Sequence, residues 1–371
     1  MAQVQETIER FRHGKPPIED RRWRRTLLFL LLIALLLLGA LLLDIWMGPS
    51  DVARVVTPSV VAQTLLRHIP FLHPVVPKVA TVPYADVIVW QERVPRALAG
   101  ALVGMLLAAV GVAFQSLLMN PLADPYTVGI ASGSALGALL IVILGGTAWL
   151  GGYAQMVAAF ASGVLAVGFV LFITRVGGRI SPQTLLLAGV IVGTFCWSLI
   201  PLIVTLGMQA GADKEARIMA TLFGSLESVD WQKLGLLLPF GVLGTFLLWR
   251  MAPQLDLLTF GEETAAHLGV HTERLKRTII VAGALVTAAA VATAGIIAFI
   301  GFVTPHAARQ LVGPRHRHLL PTAMLLGALL LVLSDWLARV YLFDIQVGVV
   351  TSLFGVPLFF VLLRKQLRER F

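Results

Sequence analysis

A chain of 371 residues with 57% hydrophobic and only 13% charged side chains, at a mean hydropathy of +0.85, cannot dress a water-exposed surface, since a soluble domain carries roughly 25% charged residues. The net charge of +9 does not point to nucleic acid. Of the 29 Lys and Arg residues, 20 fall in segments 1–25, 175–182, 250–277, 309–318 and 364–371, all on one side of an alternating path. That is the positive-inside bias of a multi-pass membrane protein, and it sets both termini in the cytoplasm.

In chain order, a polar segment over 1–25 precedes Leu27–Leu43, an apolar run of 17 residues that ends at Asp44. No small-residue cleavage site follows, so the run reads as a retained first span rather than a signal peptide. Apolar stretches of spanning length, about 20 residues each, then recur. The expected spans are 26–46, 92–118, 126–145, 150–174, 183–207, 233–251, 275–294, 296–312, 319–340 and 347–366. They predict an all-α membrane protein of about ten transmembrane helices, with 26–371 forming one transmembrane domain. Its long outer loop is 47–91, broken by Pro49, Pro58, Pro70, Pro74, Pro77 and Pro83, with a short amphipathic helix expected within Val52–Leu72. Its long cytoplasmic loop is 252–274. Gly100 with Gly104, and Gly129 with Gly133 and Gly137, are spaced four apart and read first as helix-packing positions.

Charge placement narrows the transport class. A carrier driven by protons or sodium needs ionisable groups near the midplane, where they are costly and kept for a task. The third, fourth and fifth spans have none through their centres. Asp335 and Arg339, four apart near the outer end of the ninth span, suit a local ion pair. No GxxxxGK[ST] phosphate cradle is present, the only Gly-Lys step being Gly14-Lys15. The single cysteine, Cys196, excludes an intrachain disulfide and a cysteine metal site, and no cofactor is implied. The histidines are scattered, and His316 and His318 are expected to be solvated in a basic loop. The driving energy therefore comes from outside this chain.

Three polar islands remain. The first is Asn120-Pro121-Leu122-Ala123-Asp124-Pro125 with Gly129 and Ser132-Gly133-Ser134-Ala135. The second runs from Ala294-Gly295 through Gly301 to Thr304-Pro305-His306 and Arg309. The third is Val347-Gly348-Val349-Val350-Thr351 with Gly355-Val356-Pro357. With Arg93-Val94-Pro95-Arg96 at the head of the second span, they stand in the order and register of the permease family of ABC importers for iron-siderophores, haem and cobalamin. The chain closely resembles that family over residues 90–368.

The resemblance implies a type II ABC-importer permease fold, assembled as a homodimer in the lipid bilayer. Two ATP-binding subunits would lie below it and a substrate-binding protein above it. It places a coupling helix for the ATPase at Gly261, Glu262, Glu263, Ala265, Leu268 and Gly269. The residues agree: acids at the start suit a helix dipole, Gly269 suits a C-terminal cap, and an Ala/Leu side suits docking in a partner's groove. It places cytoplasmic gates at Asn120, Leu122, Pro182 and Gln183, and binding-protein contacts at Arg93, Arg96 and Arg339. Two features depart from the family pattern, Gln346 in place of a proline and the length of 47–91; both lie toward the outer face. The expected cargo is a ferric siderophore, with haem and cobalamin open. An ion-coupled carrier or channel is the alternative reading.

Overall fold

The structure, a computed structural model, describes residues 18–48, 56–69, 84, 86–146, 153–174, 180–207 and 212–368. Most of the expected outer prolines and most of segment 1–25 lie outside them. Every regular element among the described residues is helical. α1 is Ile18–Trp46, and α2 is Pro58–Arg67, the amphipathic outer helix expected within Val52–Leu72. A π-helical segment, Asp86–Arg93, runs into α3, Val94–Leu117, and Pro95, which has no N–H to donate, sits at the junction. α4 is Ile130–Ile143, α5 Ala154–Thr174, α6 Pro182–Gly207 and α7 Ala212–Phe223. α8, Trp231–Arg250, is capped by Asp230, which accepts the Lys233 N–H at 2.7 Å. Two short helices follow, α9 Ala252–Leu258 and α10 Glu262–His267. α11 Thr272–Ala294, α12 Ile300–Val312, α13 His316–Tyr341 and α14 Val347–Arg368 complete the chain.

Seven of these helices are long and apolar enough to cross a membrane. Two of the ten expected spans are shorter than drawn. The third is broken at Gly129 (φ +79°) into a 3₁₀ turn, Pro125–Val128, and the 14-residue α4. The eighth is the 13-residue α12. α3 forms the centre, with 83% of its apolar stretch buried against 22% for α1. The leucines of α1, with Leu28 67% exposed, and the outward side chains of α5, α6 and α8 make an apolar belt far larger than a water-facing surface tolerates.

Close backbone approach explains the glycines. A Cβ added at Gly104 of α3 would collide with the Gly327 carbonyl of α13, and one at Gly111 with the Gly301 carbonyl of α12. Gly133 and Gly137 seat α4 against Ala166 and Ser162 of α5 in the same way. Without a hydrophobic drive between helices in lipid, such contact supplies the packing energy.

The stretch between the fifth and sixth spans contains α7, which hydropathy alone reads as a loop because Asp213, Lys214, Glu215 and Arg217 fall in it. α7 packs on α4 and α11. It supports the irregular backbone between α11 and α12, where Gly295 and Phe299 both have φ +70°. Ile296 N–H donates to Thr221 O at 3.1 Å, and Ser225 N–H to Ala294 O at 2.8 Å. Non-helical backbone at membrane depth persists only with such partners.

Candidate functional site

The three polar islands, scattered in sequence, meet in space. The first is a pair of side-chain-capped turns. Asn120 Oδ1 accepts the Leu122 N–H at 2.9 Å, and Asp124 Oδ1 accepts the Tyr126 N–H at 2.9 Å, the local competition with helix that Asn and Asp excel at. Burial pushes the Asp124 carboxyl up to about 6, against the lowering effect of the Tyr126 N–H. The Tyr126 hydroxyl then donates to Ile297 O at 3.0 Å in the second island, and Pro125 lies where a Cβ on Gly301 would stand. A Cβ on Gly348, in the third island, would meet the Ile296 carbonyl. All three islands converge on residues 295–301.

Below them, α3 ends in a Schellman turn: Asn120 N–H returns to Gln115 O at 3.1 Å, with Met119 in the left-handed region at φ 46°. This turn opens onto a cavity of about 700 Å³ whose wall includes Asn120, Pro182, Gln183, Gly261, Glu262 and Glu263. Residues expected in the gate and in the coupling helix, 60 or more positions apart in the chain, thus face one space. Leu122, 41% exposed, is not part of that wall.

α10 is built as its sequence implies. Glu262 and Glu263 occupy its first turn after Gly261 (φ 102°), and Gly269 (φ 87°) closes it. Val270 N–H bonds Ala265 O and Gly269 N–H bonds Ala266 O, each at 3.0 Å, the two bonds of a Schellman motif. One part of the expected Ala/Leu docking side needs correction. Ala265 is fully buried against its own chain, whereas Ala266, Leu268 (59% exposed) and the neighbouring Phe260 (71%) are exposed.

The expected solvation of His316 is also corrected, because His316 is 2% exposed. Its Nδ1 lies 2.6 Å from Asp256 Oδ1 and its Nε2 lies 2.5 Å from Ser116 Oγ, while Asp256 also accepts the His316 backbone N–H at 2.9 Å. The order Ser–His–Asp resembles a hydrolytic triad, but Ser116 sits in a helix surrounded by neighbours and its hydroxyl also donates to Val112 O at 3.1 Å. A nucleophile needs room for a substrate. The arrangement is a bracket that fixes α9, which leads into α10, to α3 and α13. One residue earlier, Gln115 donates to Phe302 O at 3.2 Å and accepts from Arg309 at 3.1 Å. Sequence reading missed Gln115, Ser116 and Asp256; the one signal for the first two was polar side chains at the end of an otherwise apolar helix.

At the end of the bundle expected to face outward, the three arginines meet carboxylates and carbonyls of their own chain. Arg96 makes a two-point contact with Asp335 at 2.8 and 2.9 Å and a third bond to Asp344 at 2.8 Å. Arg339 binds Asp44, and Arg93 donates to Ile45 O at 3.0 Å and Trp46 O at 2.6 Å. All three are buried, so none extends a free guanidinium toward water. Asp344 is the most accessible partner, at 35% side-chain exposure. It follows Phe343, fully exposed, and both adopt left-handed backbone at φ 57° and 56°.

The family model described as the FecCD transport family matches residues 30–365. An uncharacterised ABC transporter permease protein of Bacillus subtilis, YvrB, is 42% identical over 285 residues, covering 76% of this chain and 80% of its own. The cobalamin import system permease protein BtuC of Halobacterium salinarum is 38% identical over 281 residues, covering 76% and 74%. A solved structure described as an inward-facing conformation of a metal-chelate type ABC transporter superposes with a TM-score of 0.74 at 29% identity, over 91% of this chain and 98% of its own. The match by family, by relatives and by architecture leads to one conclusion: the chain is a multi-pass membrane protein that belongs to the FecCD transport family.

Proposed function

We propose that the chain is the membrane-spanning subunit of an ABC importer that carries a metal chelate inward across the cytoplasmic membrane, with a ferric siderophore as the cargo. Two copies surround one path, both termini are cytoplasmic, a separate ATPase docks on α10, and an extracytoplasmic binding protein delivers the cargo. The observation that carries this reading is the cavity shared by Asn120, Pro182 and Gln183 with Gly261–Glu263. A path end that shares its wall with the ATPase-docking helix is where nucleotide-driven motion can open or close a passage. The relative in Halobacterium named for cobalamin import favours cobalamin as the second choice of cargo.

Docking of the binding protein, in this proposal, uses the outer cluster by exchange. A partner carboxylate takes the place of half-exposed Asp344 on Arg96, while the buried pair with Asp335 stays intact. Such rim charges set orientation and encounter rate more than affinity.

The test is uptake into vesicles that contain this chain and its ATPase partner, supplied with ferric siderophore, haemin or cobalamin and the binding protein. Uptake should require ATP, and replacing Glu262–Leu268 by a Gly/Ser linker should abolish it. Uptake that persists without nucleotide and collapses with the ion gradient would support the ion-coupled carrier instead.

A further inference from the structure

Behind the cavity wall, Lys276 of α11 is 2% exposed. Its ammonium meets three acceptors: Ile180 O at 2.5 Å, Glu262 Oε2 at 2.9 Å and Glu273 Oε1 at 2.5 Å. An ammonium has three donors, and all three are engaged. The other oxygen of Glu273 accepts the Ile180 N–H at 2.9 Å. The Ile180 peptide is therefore held at both ends by the first turn of α11. Two residues later Pro182 opens α6 on the cavity wall, and Glu262 is the first residue of α10. The acceptors belong to the ATPase-facing helix, to α11 itself, and to the approach to the gate.

Resting on the importer reading, we propose that Lys276 is a positioning residue, the joint that makes a displacement of α10 move Ile180 and with it the Pro182–Gln183 wall. The physical case is one of saturation and charge. The ammonium, 3% exposed, is shared by a backbone carbonyl and two carboxylates that are each 32% exposed. Taking α10 away alone would leave this buried ammonium with one charged partner, Glu273, in place of two, and a charge-assisted bond of a buried group is costly to lose. Ile180, 96 residues from Lys276 in the chain, has no local reason to follow α10; the Lys276 bonds supply one.

The experiment uses the assembled complex with its ATPase, in a Cys196→Ser, Gln183→Cys background. Disulfide yield between the two copies is measured with and without ATP, alongside ATP hydrolysis in the same sample. With native Lys276 the yield changes on ATP binding. Lys276→Met should reduce that change, per ATP hydrolysed, about tenfold, the scale of one lost charge-assisted bond. Lys276→Arg, which keeps the charge and the donors, should restore much of it. A purely structural role would lower hydrolysis and gate response together and leave their ratio at the native value, which overturns the joint. Should Lys276→Met fail to assemble, Glu273→Gln serves in its place, and an undiminished ratio there overturns the joint equally. Absence of any nucleotide response with Lys276 intact counts against the importer reading and the joint with it.

Discussion

Asp335 and Arg339 stand four residues apart on α13, and each takes its charge partner from a different helix: Asp335 from Arg96 of α3, Arg339 from Asp44 of α1. The local ion pair that their spacing suggests is replaced by two pairs that fasten three helices at one end of the bundle. Breaking one buried pair leaves a charge without compensation, at about 3–5 kcal/mol. Arg96→Ala should therefore lower stability by that order in a thermal unfolding assay in detergent, and Arg96→Ala with Asp335→Ala should recover part of the loss. A cost near zero for the single change would mean that water reaches Asp335.

Exchange of Asp344 for a partner carboxylate makes an opposite prediction for a neighbouring residue. Asp344→Ala frees the outward bond of Arg96 without exposing Asp335. Binding-protein association should tighten at low ionic strength, by about 0.5–1 kcal/mol for a partly exposed pair, and the gain should vanish in high salt. Weaker association in the variant would show that Asp344 itself, or the turn it holds, is the contact.

The gate assignment requires that two copies approach at the cytoplasmic end. Under a two-fold axis each such residue faces its own mate, and a disulfide forms only with Cα atoms within about 7 Å. With Cys196 replaced by Ser, single cysteines at Leu122 and Gln183 should crosslink between copies at one position or both. The yield should depend on nucleotide. Confirmed dimers that never crosslink at either position would end the gate assignment for these residues.

Asp256 holds both the backbone N–H and the ring of His316. Asp256→Ala removes both acceptor bonds, for an expected destabilisation of about 2–3 kcal/mol. Because the bracket anchors α9, limited proteolysis should also cut the 252–269 stretch faster in the variant. Asp256→Asn keeps an acceptor and should fall between. Equal cutting rates in all three proteins would mean that α9 is held by its apolar face alone.

From the sequence by itself came the all-helical membrane architecture, most helix boundaries, the family and the capped form of α10. These rest on local physics. Apolar runs must satisfy their own backbone in hydrocarbon, and a Gly at the end of a short helix closes a Schellman turn with its immediate neighbours. Two of the errors were local too: four charges concealed α7, and Gly129 divided an apolar run that composition reads as continuous. What only the tertiary structure decided is which polar groups face each other. Arg96 and Asp335 are 239 residues apart, Ser116 and His316 200, and Lys276 and Ile180 96. In a buried site a charge takes the partner that packing brings within about 3 Å, whatever the sequence distance. Periodicity and composition record which residues are buried; the register of one helix against another, set here by glycines such as Gly104 and Gly327, determines what each buried charge meets.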